Sequence, residues 1–92
     1  MQSHQVVFHV TCTADDSQAP ARVMGVFASR SLLPRRYLCS LDDAGTFDIE
    51  VDVTLGEGEG TGPLHLARLI ARFPVVLSVD LFVDGSRTPF EP

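Results

Sequence analysis

Ninety-two residues with a net charge of −5, 45% hydrophobic and only 21% charged, make one folded domain with a small core, burying about 60–65% of the surface its unfolded chain exposes. No basic cluster exceeds the pair Arg35-Arg36, so the footprint that holds a phosphate backbone is missing and nucleic acid is not expected as a partner. The longest apolar runs, around Val75 and Leu81, fall far short of a membrane span, and the N-terminus lacks a basic segment followed by an apolar one, so a soluble, cytoplasmic domain without membrane contact is expected.

Gln5 to Thr13 alternates, with Val6, Phe8, Val10 and Cys12 on one face and Val7, His9 and Thr11 on the other, which predicts a half-buried first strand. Ala14-Asp15-Asp16-Ser17 supplies a turn, with Ser17 as the expected helix cap and two carboxylates placed where a helix N-terminus favours negative charge. Pro20 suits the first helical turn. Ala19, Val23, Val26 and Phe27 recur at helical spacing as the buried stripe, leaving Arg22 and Ser29 to water. The helix is expected to stop near Ser31.

A second strand is predicted over Leu32 to Leu41, with Tyr37, Cys39 and Leu41 in step and Pro34 confined to a strand start or an edge. Asp42-Asp43-Ala44-Gly45 reads as a hairpin turn. The third strand is the clearest, because Phe47, Ile49, Val51, Val53 and Leu55 alternate without a break against Asp48, Glu50, Asp52 and Thr54. Gly56 to Gly62 reads as a flexible loop. Pro63 then opens a helix that turns Leu66, Leu69, Ile70 and Phe73 inward, and Pro74 ends it. Val75 to Val83 is the last strand, with Leu77, Val79, Leu81 and Val83 in phase. Residues 1–84 thus form a single domain and 85–92 a frayed C-terminal tail.

Strand-helix-strand occurs twice, which is the split-βαβ, ferredoxin-like pattern: an α+β, βαββαβ sandwich with a four-stranded antiparallel sheet and two helices on one face. Cys12 and Cys39 fall in separate strands without metal-ligand or redox spacing and are expected as reduced, mostly buried thiols. No Ser/His/Asp or Cys/His arrangement suggests catalysis, and no pattern calls for a cofactor. Asp48, Glu50 and Asp52 spread along about 13 Å of strand at roughly 3.3 Å per residue, too far to meet one cation, and read as a solvated sheet face. The run from Gly56 to Gly62 matches no phosphate-binding loop, and its two glutamates would repel a phosphate.

The run Arg22-Val23-Met24-Gly25-Val26-Phe27, followed by Ser29-Arg30, resembles the first helix of an ACT domain, most closely that of the small regulatory subunit of acetolactate synthase. The resemblance spans residues 5 to 84. It implies the strand order 4-1-3-2, with the second and fourth strands as edges, and a non-catalytic regulatory role. In that family an amino-acid effector sits between the turn after the first strand and the second-strand start of a neighbouring protomer. Carried over, the effector-binding positions are Asp15, where the family's turn has Asn, Gln18, where it has glycine, Ala19, Leu33 and Pro34.

The resemblance further implies a homodimer, a branched-chain effector (Val, Leu or Ile) and a large catalytic subunit as partner. The exposed sheet edges and the open-face residues Val7, Val76 and Phe82 agree with dimerisation. The alternative is a protein-interaction module on the same scaffold, its turn merely capped and its acidic sheet face meeting a basic partner. Other users of the topology fit less well. Acylphosphatases need an arginine where Asp15 and Asp16 stand, metal chaperones need an M-x-C-x-x-C loop, and RNA-recognition sheets need aromatics where His9, Asp48 and Glu50 stand.

Overall fold

The computed structural model describes residues 3–56 and 62–91. At its centre lies β1 (Ser3–Thr13), bonded antiparallel along its whole length to β3 (Thr46–Gly56), from Ser3↔Gly56 to Thr13↔Thr46. On its other side β1 pairs with β4 (Val76–Val83), while β2 (Arg36–Leu41) takes the outer edge of β3. Full pairing of β1 follows from its alternation, since Val6, Phe8, Val10 and Cys12 are completely buried on one face. Helices α1 (Ala19–Ala28) and α2 (Pro63–Ala71) cover that face, and their buried residues, among them Val23, Phe27, Leu66 and Ile70, join the strand residues in one core. Phe8 and Phe27 meet edge to face, ring centres 5.2 Å apart, where α1 crosses β1.

The α+β architecture is as the sequence predicts, and the first four strands stand in the expected order 4-1-3-2, but the sheet has a fifth strand beyond β4, giving β2-β3-β1-β4-β5. The addition is β5 (Ser86–Arg87), which pairs Phe82↔Arg87 and Val83↔Ser86. The expected frayed tail after Gly85 is therefore corrected. Asp84 and Gly85 both have positive φ, 50° and 85°, the conformation of a two-residue turn whose twist matches a hairpin. That Asp-Gly pair was the available sequence signal. Thr88 N–H then donates to the Leu81 carbonyl (2.7 Å), Phe90 packs on the core and Arg68 Nε donates to the Glu91 carbonyl (3.1 Å). As a result β4 is not an edge along its C-terminal half.

Three further expectations are corrected. The second strand begins at Arg36, not Leu32, because α1 ends in a turn: Ser31 takes φ +57°, Leu32 N–H reaches the Phe27 carbonyl and Ser31 N–H reaches that of Ala28. This is the double bond of a Schellman ending, with Leu32 folded back onto the core. Cys39, expected in the core, is exposed; it lies on the helix face of β2, but that strand stands outside the area the helices cover. Finally, the β1–β4 register shifts between Thr11 and Cys12, so that Thr11 faces Ser78 but Cys12 faces Val76. Leu77 is the extra residue of this bulge and is 60% exposed, while Val76, expected on the open face, packs on the core. One inserted residue exchanges the two faces of a strand.

Most of the glycine-rich loop, residues 57–61, lies outside the described residues. No helix among the described residues is long and apolar enough to cross a membrane.

Two aspartates tie the turns. Asp42 accepts hydrogen bonds from the Thr46 hydroxyl and from the Thr46 and Ala44 N–H groups. Asp84 accepts from His4 Nδ1 (2.8 Å) and Gln5 N–H (3.0 Å). These bonds hold both carboxyls below the ordinary aspartate range, Thr46 acting chiefly on Asp42 and His4 on Asp84. A depressed folded-state pKa stabilises above the unfolded value and stops doing so as pH falls through the folded one. Asp42→Asn is therefore expected to flatten the fall in stability below about pH 4, read as the urea midpoint against pH.

Candidate functional site

The turn between β1 and α1 is built largely by Asp16. One carboxylate oxygen accepts Gln18 N–H (2.8 Å), the other lies 3.2 Å from Arg22 Nε, and the Asp16 carbonyl accepts Ala19 N–H (3.1 Å). Gln18, not Ser17, is the residue preceding the helix, and no side chain caps α1 in the usual way. A helix start offers four N–H donors to an anion. Here Gln18 and Ala19 give theirs to Asp16 and Pro20 has none, leaving Ala21. The negative charge that the helix end favours is already supplied from within the chain.

The five positions carried over as effector-binding fall in different surroundings. Asp15 and Gln18 are exposed at the turn, whereas Ala19 is completely buried, so its side chain is part of the core rather than a contact surface. Leu33 is 88% exposed and Pro34 half-buried in the segment before β2. The Tyr37 hydroxyl donates to the Pro20 carbonyl (3.1 Å), fastening β2 to the first turn of α1. None of the five lines any of the three clefts described next.

The clefts lie beside them. One of about 260 Å³ is lined by Asp16, Arg22, Phe73, Pro74 and Val75, and another of about 290 Å³ runs along the seam of α1 and α2, sharing Arg22 and Phe73. A third, about 460 Å³, opens between β4, Ala71 and the segment Arg87–Phe90, with the Arg87–Asp80 ion pair (2.8 Å) on its wall. Arg22 is exposed, as the sequence predicts, but is also bonded to Asp16. Its six-residue spacing from Asp16, across a helix start, was the signal that the two could meet.

No family profile and no curated protein matches this sequence. Solved structures do resemble it. The ACT domain of the GTP pyrophosphokinase of Chlorobium tepidum matches with a TM-score of 0.72, over 88% of this chain and 100% of that one, at 12% identity. The chain has an ACT-like fold. The C-terminal domain of the MgtC protein from Mycobacterium tuberculosis also matches, with a TM-score of 0.64 over 97% of this chain and 95% of that one, at 15% identity. At such identities the likeness is one of fold, and neither neighbour is an acetolactate synthase subunit.

On this ACT-like fold the reactive side chains are dispersed. Burial pushes the Cys12 thiol up, with Cys39 adding to it, and partial desolvation raises Cys39; thiols shifted in this direction are poor nucleophiles at neutral pH. The two stand on the same face with β3 between them. Two strand spacings, roughly 9–10 Å, exceed the reach of a disulfide. His9 faces Glu50 on one side and Asp80 on the other, and His4 is bonded to Asp84. Among the described residues no three of the His, Cys, Asp and Glu side chains are placed to hold a metal ion.

Proposed function

We propose that this chain is a non-catalytic regulatory module that works by association: it pairs with a second copy through β2, holds an amino-acid effector at the resulting seam and acts on a larger catalytic subunit. The observation that carries the reading is the apolar β2 edge. Leu41 is 61% exposed, Leu38 45% and Leu33, just before the strand, 88%, and β2 ends the sheet with its outer backbone groups without a partner strand among the described residues. An open strand edge flanked by leucines is an aggregation hazard unless a specific partner covers it. A partner copy there would bring its own Leu33 and Pro34 towards the Asp15–Ala19 turn. The likeness of α1 to the acetolactate synthase small subunit makes valine, leucine and isoleucine the first effectors to try and a branched-chain biosynthetic enzyme the first catalytic partner.

A second reading, an interaction module without an effector, is favoured by Asp16, which already occupies the helix-start donors. Two measurements separate the readings. Sedimentation is expected to give a dimer at micromolar concentration that Leu41→Glu dissolves; a monomer for the unaltered chain overturns the pairing. Melting with each amino acid in turn is expected to reveal one that stabilises, by roughly 2.7 kcal/mol at a hundred times its dissociation constant. A flat response to all of them leaves the interaction module as the function.

A further inference from the structure

Charge is separated between the two layers of this fold. Neither helix contains a carboxylate, and no Asp or Glu occurs between residues 17 and 41 or between 60 and 79. Arg22, Arg30, Arg68 and Arg72 lie on the helices or just beyond their ends, whereas Asp48, Glu50, Asp52 and Asp80 stand on the opposite sheet face. The chain is acidic in sum, yet its helix layer is basic.

The seam of α1 and α2 has the form of a receptor for a rod. Val26, Leu69 and Phe73 make an apolar floor, and Arg22 and Arg30 stand on its α1 side. Arg22 gives Asp16 its Nε, and its side chain remains 57% exposed; a guanidinium has further donors to offer. Arg30 is steadied by bonds from Nη1 to the Val26 carbonyl (3.0 Å) and the Ser29 hydroxyl (3.1 Å). Between the two arginines Gly25 is exposed, and a Cβ there would meet nothing within 4 Å. Glycine within an exposed helix costs stability relative to alanine, and no contact inside this chain requires it. Its absent side chain leaves room for a second backbone to approach.

We propose that this seam docks an acidic amphipathic helix of a partner protein, packed against α1 over Gly25. Arg22 and Arg30 lie eight positions apart, a rise of about 12 Å along the helix at 1.5 Å per residue, with an apolar floor rather than a polar pocket between them. A helix alongside α1 carrying carboxylates seven or eight residues apart matches that span, with apolar residues three and four places after the first carboxylate on the floor between them. The docking surface lies apart from the β2 edge; it shares Arg22 with the effector turn through Asp16, whereas Gly25 and the apolar floor belong to the seam and line no part of the cleft beside that turn, apart from Phe73.

The test uses the whole chain and two labelled helical peptides. One has glutamates seven residues apart, with leucines three and four residues after the first, and the other has lysine in place of each glutamate. The acidic peptide is expected to bind saturably, more weakly as salt rises, and at least about tenfold more tightly than the basic one, a difference of about 1.4 kcal/mol. Gly25→Leu is expected to weaken that binding by about tenfold or more while raising the Tm by about 3–6 °C, because the helix improves as the groove fills. Arg22→Glu with Arg30→Glu should reverse the preference between the peptides. No saturation up to about 1 mM, equal binding of both peptides, or acidic binding that survives Gly25→Leu overturns the proposal. So does self-association that Gly25→Leu abolishes, which would make the occupant a second copy. An amino-acid response unchanged in Gly25→Leu keeps this outcome distinct from that of the effector turn.

Discussion

Phe27→Ala is expected to remove about 3–5 kcal/mol, the cost of emptying a buried aromatic site. The side chain is completely buried, its ring edge-on to that of Phe8, itself without exposure. It is the largest fully buried side chain of α1, and α1 covers part of a core that a chain of this length can build only once. Since a small domain is stable by about 5–15 kcal/mol, the variant should be close to unfolding at 37 °C, with a Tm lowered by at least about 12 °C. Phe27→Leu, which keeps most of the volume, should lose less than about 1.5 kcal/mol. Urea unfolding with a shifted midpoint and an unchanged slope is the measurement. A loss below about 1 kcal/mol for the alanine variant would mean that α1 does not dock as described.

Ending the chain after Asp84 is expected to cost about 2–4 kcal/mol. A tail that merely frayed would be removed without effect. Here removal uncovers the core under Phe90, whose full burial would be worth about 1.5–3 kcal/mol, and deletes the bond of Thr88 to Leu81 and the two-residue pairing of β5, each hydrogen bond contributing about 0.5–1.5 kcal/mol net. Phe90→Ala in the full chain should account for about half of the loss. The truncated chain should also exchange the β4 amide protons faster, because β4 then becomes an open edge. A truncated chain as stable as the whole one would show that β5 and the segment after it are not held.

Both expectations bear on the regulatory reading. Association through β2 and docking over Gly25 use different surfaces of a scaffold whose rigidity comes from one core, so the variants that probe either surface need to leave that core intact. Leu41→Glu and Gly25→Leu do so, since Leu41 is mostly in water and Gly25 faces open space. Phe27→Ala does not, and a loss of association in that variant would carry no information about the surfaces.

The elements with a long regular period were legible from residues alone. Nine residues of unbroken alternation placed β3, because only one register puts Ile49, Val51, Val53 and Leu55 in the core together. The stripe Ala19, Val23, Val26 and Phe27 placed α1 and its buried face for the same reason, at helical spacing. The turn between β1 and α1 was legible in position, but not which of its carboxylates builds it. Asp15 and Asp16 are neighbours in sequence and equally acidic, and only the path of the turn makes Asp16 the one that bonds Gln18 and Arg22 while Asp15 faces water.

Local chemistry written in period and propensity thus determined the α+β class, two strand-helix-strand halves and the inward face of most elements. Tertiary structure decided what depends on a neighbour. The exposure of Cys39 follows from how far the helices reach across the sheet, the exchange of Val76 and Leu77 from where β1 permits a bulge, and the fifth strand from β4 having an edge left to pair. Each is a matter of which surface lies opposite, and no residue carries that information until the whole chain has folded around it.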